Sequence, residues 1–234
     1  MIPEQANISK EHKQSRKPKK EASNGWIGTD ESGKGDYFGP LVIAGVYIDN
    51  ELVPKLESYK VRDSKKISDR IILDLDYRIR SLCDYSVVVI GPEKYNLLYL
   101  KMKNLNKILA WGHARAIENI LLNRECDKVI SDQFGDERFI QNALMEKGKR
   151  IKLIQMPRAE ADLAVASASI VARAEFLRGM EKLSKNCGMA LPKGASPSVE
   201  EAAKRIIVDR GEGELDKYVK LHFKNTRNVL CTKK

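Results

Sequence analysis

The stretch GTDESGKGDYFGP, residues 28–40, decides how the rest of the chain is interpreted. Its first eight residues nearly match the phosphate-binding pattern G-x-x-x-x-G-K-[S/T], with Gly33 and Lys34 at the required spacing. Its third and fourth residues are adjacent acids, Asp30 and Glu31, which are typical of a metal site. The two interpretations exclude each other, because carboxylates that would attract a cation would repel a phosphate.

The phosphate-binding interpretation fails on the residues around the lysine. The position that should carry a Ser or Thr hydroxyl for Mg²⁺ is Gly35. Asp30 and Glu31 would lie inside the phosphate cradle and face charges of their own sign. A helix should follow such a loop, whereas residues 38–48, FGPLVIAGVYI, are apolar and predict a strand.

A site for hard cations needs further carboxylates, and more acids stand at the ends of predicted elements. Asp132 ends the short strand DKVISD, Asp162 lies at the start of a long helix, and Glu160 stands two residues earlier. Such acids suit a two-metal phosphodiesterase, in which the cations activate a water and stabilise the leaving oxygen. Each acid alone is equally explained as a helix cap or a solvated side chain, so spacing leaves both interpretations open.

Hydrophobic periodicity predicts an α/β sheet covered by helices, because strands and helices alternate after an initial hairpin. The predicted strands are residues 26–30, 39–49, 85–91, 127–132 and 150–157. The predicted helices are residues 68–83 with Ser68 as N-cap, 92–102, 104–123, 136–148, 159–186 and 196–211, followed by a basic helical tail. Interior strands of such a sheet are apolar, and the chemistry is expected at their ends.

The charge of the 234-residue chain is concentrated at its two ends. The formal net charge is +10, and residues 1–24 and 217–234 each contain six Lys or Arg. Residues 1–24 are too polar to bury a core and predict a disordered basic arm, ahead of one folded domain over residues 25–234. Basic ends around a near-neutral middle favour a nucleic-acid partner over mere solubility.

Other features indicate a cytoplasmic protein. No apolar run is long enough for a membrane span, and no secretory signal precedes the folded part. The four cysteines are widely spaced, which predicts reduced thiols and neither a zinc site nor a disulfide framework.

Several motifs, in order, resemble the type 2 ribonuclease H family, and most closely its ribonuclease HIII branch. They are TDESGKGDYFGP, VRDSKKISD, NLNKILAWGHARAIENIL, SDQFG, AVASASIVAR and GMALPKGAS, and the resemblance covers about residues 26–228. It implies a ribonuclease H-like mixed β-sheet flanked by helices, with a helical, basic C-terminal portion from about residue 196. Ribonuclease HIII proteins usually carry an N-terminal TATA-binding-protein-like domain, whereas only some 25 polar residues stand there in this chain.

The resemblance also implies an activity and its site residues. The activity is endonucleolytic hydrolysis of the RNA strand of RNA–DNA hybrids by two divalent ions, Mg²⁺ or Mn²⁺, leaving 5′-phosphate and 3′-OH ends. The implied catalytic acids are Asp30, Glu31, Asp132 and Asp162, the first three being metal ligands, with Glu160 as the competitor of Asp162. The implied substrate contacts are Gly33, Lys34, Gly35, Ser64, Lys65, Lys66 and Lys193.

Alternatives remain for several of these roles. A tight turn explains Gly33 and Gly35 as well as contact with a ribose does, and a solvated loop explains residues 64–66. His113 is interpreted as a structural, hydrogen-bonded histidine in preference to a general base. The expected partner is an RNA–DNA hybrid, with no membrane, no obligatory protein partner and a monomeric state. The other functions left open are ribonuclease HII-like incision at single ribonucleotides in duplex DNA and non-catalytic nucleic-acid binding.

Overall fold

The computed structural model describes residues 24–61, 67–136 and 138–231. The basic arm predicted for residues 1–24 therefore lies almost entirely outside the described residues. The predicted phosphate contacts of Ser64, Lys65 and Lys66 lie outside them as well.

A five-stranded mixed sheet forms the centre of the fold. The strands are β1 (Gly25–Ser32), β2 (Leu41–Asp49), β3 (Tyr85–Ile90), β4 (Lys128–Asp132) and β5 (Lys152–Met156). Their order across the sheet is β3-β2-β1-β4-β5, with β1 antiparallel to β2 and parallel to β4. The mixed sheet predicted from the sequence is thus confirmed, with β1 at its centre.

Helices cover both faces of this sheet. They are α1 (Val53–Ser58), α2 (Asp69–Leu82), α3 (Pro92–Met102), α4 (Leu105–Leu121), α5 (Arg138–Ala143), α6 (Leu163–Cys187), α7 (Pro197–Arg210) and α8 (Lys224–Leu230). The α6 face contributes the largest apolar core, and α4 packs its buried side chains against the opposite face. Two covered faces explain why β2 is buried and apolar from Leu41 to Ile48.

The first turn of α6 lies directly on β1. A Cβ atom added to Gly28 would lie 2.1 Å from the main-chain carbon of Ala164, so only glycine permits this approach. The close packing fixes the direction of α6 along β1, and with it the positions of the polar side chains on that face.

The predicted elements differ from the observed ones mainly at their ends. Helix α1 was not predicted. The helix predicted from residue 159 begins at Leu163, because the carboxylate of Asp162 accepts hydrogen bonds from the N–H groups of its first turn. The helix predicted over residues 136–148 contracts to α5, because Glu118 captures the N–H groups of Met145 and Gly148 at 2.7 and 2.9 Å.

The C-terminal portion is helical, as predicted, and returns to the sheet. After α7, a 3₁₀ turn (Glu212–Lys217) leads to α8. Between them, Val219 forms an antiparallel bridge with Phe38, at the turn between β1 and β2. Among the described residues, no helix combines the length and the apolar character required to cross a bilayer.

Candidate active site

Two predicted acids meet at the carboxyl ends of neighbouring parallel strands. The pairing of β1 with β4 aligns Thr29 with Ser131, so Asp30 and Asp132 follow as the next neighbours in the same register. Corresponding side chains on adjacent strands point to the same face of a sheet. The structure therefore places Asp30 and Asp132 side by side on the α6 face, and Glu31 on the α4 face.

Asp30 lies in an environment that disfavours its charge. Burial, and after it the neighbouring charge of Glu31, raise its pKa to about 7, against an opposing hydrogen bond from Ser169 of α6. One carboxylate oxygen of Asp30 also accepts the N–H of Glu31 at 2.8 Å. Without a nearby cation, this carboxyl therefore retains its proton up to neutral pH.

Glu31 is charged, because two cationic or hydrogen-bonding side chains hold its carboxylate. Burial acts to raise its pKa, but the hydrogen bonds and charges of His113 and Lys34 outweigh burial and lower it. Nε2 of His113 lies 3.3 Å from Oε2, and Nζ of Lys34 lies 3.1 Å from Oε1. The two neighbouring acids thus have opposite pKa shifts for identifiable physical reasons.

His113 is fully buried on α4 beneath the strand that carries the acids. Its Nδ1 lies 2.9 Å from Oγ1 of Thr29, and its ring stacks on Phe134 with centroids 4.9 Å apart. This placement agrees with the interpretation as a hydrogen-bonded structural histidine. It adds a direct contact with Glu31, which the sequence did not indicate.

Asp132 links β4 to the turn that precedes α6. Its Oδ1 accepts the N–H of Ala159 at 3.1 Å, and its side chain is partly exposed. This carboxylate keeps accessible oxygen atoms at the edge of the sheet, next to Asp30.

Asp162 lies at the start of α6, where its carboxylate contacts the helix and Trp26. Its carboxylate caps α6 through the N–H groups of Ala164 and Val165, and it accepts the indole N–H of Trp26 at 3.0 Å. Ser169, which contacts Asp30, lies seven residues further along α6, or roughly 10 Å at 1.5 Å per residue. Glu160 lies in the 3₁₀ turn before the cap, directly after Ala159, whose N–H donates to Asp132.

Another acid, Asp136, follows Asp132 closely in the chain. It lies in the loop that leaves β4 after Asp132, is exposed, and pairs with Arg138 at 2.6 Å, which lowers its pKa to about 2. Phe134 of the same loop stacks on His113, so this loop runs beside Glu31. In the sequence, Asp136 is the second acid of SDQFGD and stands four residues after Asp132, the acid at the end of β4.

The donor set suits a hard cation, since Asp30, Glu31 and Asp132 offer only oxygen atoms. As the side chains stand, no three His, Cys, Asp or Glu residues among those described are grouped to hold a metal ion. The carboxylates would therefore turn toward each other on binding. The proton held by Asp30 and the ammonium of Lys34 beside Glu31 both offset negative charge that a bound cation would neutralise.

The predicted substrate contacts fall into two adjacent segments. Gly33 has φ +84°, and a Cβ atom there would lie 2.2 Å from the carbonyl oxygen of Pro40, so the turn itself requires glycine. Gly35 is exposed and has open space where a side chain would be. Lys193 pairs with Asp69 at 2.7 Å, and the next residue, Gly194, accepts the N–H of Tyr37 at 2.9 Å, which joins this loop to the turn.

The comparisons with known proteins agree on one family. The model of the family described as Ribonuclease HII matches residues 27–226. Ribonuclease HIII of Protochlamydia amoebophila (strain UWE25) is 49% identical over 204 residues, which cover 87% of this chain and 68% of that protein. The chain belongs to the ribonuclease HII family, in its ribonuclease HIII branch. The family predicted from the motifs is thereby confirmed.

Solved structures of ribonuclease HIII support the same placement. Bst-RNase HIII, solved in complex with Mn²⁺, has a TM-score of 0.83 and 36% identity, covering 91% of this chain and 71% of that one. RNase H3 of Aquifex aeolicus has a TM-score of 0.72 and 34% identity, covering 85% of this chain and 72% of that one. The ribonuclease H-like fold predicted from the sequence is therefore confirmed as well.

Proposed function

We propose that this ribonuclease HIII hydrolyses the RNA strand of RNA–DNA hybrids with two divalent cations, Mg²⁺ or Mn²⁺, and leaves 5′-phosphate and 3′-OH ends. The observation that carries the proposal is the pair Asp30 and Asp132, neighbours at the ends of β1 and β4, with Glu31 beside them. Carboxylates so placed offer shared oxygen ligands to hard cations. The Mn²⁺ complex of Bst-RNase HIII supports this choice of metals.

Asp30, Glu31 and Asp132 would hold the cations, with Asp162 as the fourth acid. The sequence favoured Asp162 for that position. Its carboxylate caps α6, and the turn before it is hydrogen-bonded to Asp132 through the N–H of Ala159. Glu160, in that turn, is the competitor for the same role.

The bound cations would supply activation of the attacking water and stabilisation of the leaving 3′-oxygen. The protein's own contribution is to place Asp30 at the end of β1 and to fix the orientation of Glu31 through His113. Cations held by Glu31 would neutralise its charge and would free the ammonium of Lys34 from that carboxylate. Its side chain is 41% exposed and is then available to a phosphate of the substrate.

Recognition of the RNA strand would lie on the turn after β1. Within the described part of the chain, the N–H groups of Lys34 and Gly35 donate no hydrogen bond to a main-chain carbonyl. The open space at Gly35 allows a sugar to approach these donors, and the 2′-OH is the group that distinguishes RNA from DNA. Lys193, on the loop joined to this turn, would contact a backbone phosphate, as would Ser64, Lys65 and Lys66.

The hybrid is the partner that we propose, and the basic arm would add phosphate contacts without sequence preference. A monomeric state, independence from an obligatory protein partner and a cytoplasmic location stay predictions.

The test is cleavage of an end-labelled RNA–DNA hybrid in EDTA, Mg²⁺ and Mn²⁺. Asp30→Asn and Asp132→Asn should abolish metal-dependent cleavage, while Asp74→Asn, which removes an exposed acid paired with Arg78 on α2, should not. Extension of the products by a DNA polymerase reports their 3′-OH ends. Full activity in Asp30→Asn would overturn the assignment.

Two alternatives are separated by the same assay. A non-catalytic binder would hold the hybrid in EDTA and leave it uncut after metal is added. A ribonuclease HII-like enzyme would incise a DNA duplex that carries a single ribonucleotide. We expect poor incision of that duplex compared with the hybrid, and efficient incision would change the subtype without changing the fold.

A further inference from the structure

Lys220 is a fully buried lysine whose ammonium, among the described residues, donates its hydrogen bonds to main-chain oxygen atoms of one turn. Its Nζ donates to the carbonyls of Asp36 at 2.8 Å, Gly39 at 2.8 Å and Phe38 at 3.4 Å. These residues belong to the turn between β1 and β2, which also carries Lys34 and Gly35. The donor comes from the C-terminal segment, 181 residues after Gly39.

A buried ammonium is unfavourable unless its donors are satisfied, because it loses its hydration. Here burial lowers the pKa of Lys220 to about 7, and the charge of Asp36 only partly opposes this shift. The ring of Tyr95, 5.8 Å from Nζ, gives a weak further attraction. The three carbonyl acceptors are the main compensation, so the lysine and the shape of the turn depend on each other.

The main chain around Lys220 is paired with the same turn. The N–H of Lys220 donates to the carbonyl of Tyr37 at 2.9 Å, and the N–H of Gly39 donates to the carbonyl of Tyr218 at 3.0 Å. This short antiparallel pairing and the ammonium hold the turn from the side opposite to its exposed tip, where Gly35 lies.

Asp36 connects this support to the tip of the turn. Its N–H closes the turn on the carbonyl of Gly33 at 3.3 Å, its Oδ1 accepts the N–H of Gly194 at 2.7 Å, and its carbonyl accepts from Lys220. Displacement of the Asp36 carbonyl would therefore move the peptide groups of Lys34 and Gly35, which lie between Gly33 and Asp36.

We propose that Lys220 is a positioning residue for recognition of the RNA strand, because its ammonium fixes the main chain of the turn that presents the N–H groups of Lys34 and Gly35. This inference rests on the proposed function of that turn. It assigns no contact with substrate to Lys220 itself. The inference predicts that removing the ammonium of Lys220 weakens discrimination between hybrid and DNA duplex and leaves metal binding unchanged.

The experiment compares Lys220→Met with Thr226→Val. The first variant keeps the length and burial of the side chain but removes the three donors. The second removes a buried hydrogen bond of the same segment, from Oγ1 of Thr226 to the hydroxyl of Tyr37 at 3.1 Å, and leaves the main chain of the turn untouched. Both are measured well below their unfolding temperatures. Fluorescence anisotropy in EDTA gives the Kd for an RNA–DNA hybrid and for the DNA duplex of the same sequence.

The Kd ratio is the Kd for the DNA duplex divided by the Kd for the hybrid. In Lys220→Met this ratio should fall about tenfold, which corresponds to a loss of ~1.4 kcal/mol in the preference for the hybrid. KM for the hybrid should rise more than kcat falls. Amide exchange measured by NMR should accelerate at Asp36 and Gly39. Thr226→Val should lose thermal stability while keeping the Kd ratio. If Lys220→Met does not fold, Lys220→Gln, which retains a shorter donor, should show the same changes at reduced size.

A variant at Lys220 that folds and keeps the wild-type Kd ratio overturns the inference. That result leaves the proposed function intact, provided that the wild type cleaves the hybrid. If the wild type cleaves nothing, the proposed function fails instead, and the amide exchange at Asp36 and Gly39 still reports whether Lys220 shapes the turn.

Discussion

Nε2 of His113 lies 3.3 Å from Oε2 of Glu31, and the same imidazole is bonded through Nδ1 to Thr29, two residues earlier on β1. The ring therefore fixes the orientation of a carboxylate relative to the strand that bears it. Side chains that orient metal ligands in this way tune both metal affinity and activity. His113 acts through Glu31 and has no direct part in the proposed chemistry.

Replacement of His113 by Ala should lower kcat and the affinity for Mg²⁺ about 10–100-fold, the usual effect of removing a residue that orients a ligand. His113→Gln, which keeps one hydrogen-bonding group, should recover part of the loss. The measurement is the dependence of cleavage rate on Mg²⁺ concentration. His222→Ala, which removes a histidine stacked on Tyr99, is the control. Unchanged Mg²⁺ dependence in His113→Ala would contradict the orienting role.

Asp30→Asn should inactivate the enzyme and stabilise the metal-free fold above neutral pH. The pKa of Asp30 is about 7 in the folded protein and 3.8 ordinarily, so the folded state binds this proton more tightly. Its ionisation therefore destabilises the fold as pH rises from about 4 to 7. Removing it should add about 1–4 kcal/mol to the free energy of unfolding at pH 8 and less at pH 5, because each pKa unit corresponds to ~1.4 kcal/mol.

Urea titrations of both proteins in EDTA at pH 5 and pH 8 measure this difference. An Asn variant that is less stable than the wild type at pH 8 would show that Asp30 is not held in an unfavourable charged state.

Metal affinity should depend on pH through the same carboxyl. A cation must displace the proton of Asp30, so the apparent Kd for Mn²⁺ should rise about tenfold for each pH unit below 7 and level off above it. Calorimetric titration between pH 5.5 and pH 8 gives the slope. An affinity independent of pH over this range would show that Asp30 is already ionised or is not a ligand.

The fourth acid is identified by a pair of variants. Asp162→Asn, which keeps a side-chain oxygen to cap α6, should lower kcat at least tenfold and keep most of the stability. Asp136→Asn, which removes an exposed acid paired with Arg138, should keep most of the activity. Thermal denaturation and single-turnover cleavage are measured on both. The reverse pattern would move the role to Asp136.

Deletion of residues 1–24 should raise KM and flatten its dependence on salt, with kcat nearly unchanged, since only uniform binding is lost. Each phosphate contact removed should lower the slope of log KM against log salt concentration by ~0.7–0.9. Cleavage measured between low and high salt tests this. If KM and the slope are retained, the basic arm contributes nothing to binding.

The sequence predicted the secondary structure well wherever a local pattern of residues is compatible with only one element. The apolar strands, the alternation with helices and the acids at strand ends follow from local patterns, and the mixed sheet agrees with them. The face on which an acid lies does not follow, because it depends on register and on helix placement. The start of α6 is an example, since its place is set by the contact of Ala164 with Gly28 and by the hydrogen bond of Ala159 to Asp132.

The contact of His113 with Glu31 could not be predicted from the sequence either, because it joins residues 82 positions apart. The basic C-terminal segment gives a second example. Its lysines were interpreted as a surface for a polyanion, yet Lys220 is buried and Lys217 pairs with Glu214 at 2.7 Å. A count of charges along a sequence does not reveal which of them the fold uses internally.

The pairing of Phe38 with Val219 has a consequence for the order in which the enzyme matures. The turn is synthesised early, and its partner, Lys220, is 181 residues away from Gly39. At roughly 5–20 residues per second, a ribosome needs about 10–40 s to make that interval. During this time the acids of β1 are present on the nascent chain, but the turn beside them lacks its support. We therefore expect the ability to select RNA to arise last. The nascent chain would carry the acids of β1 before it can recognise its substrate.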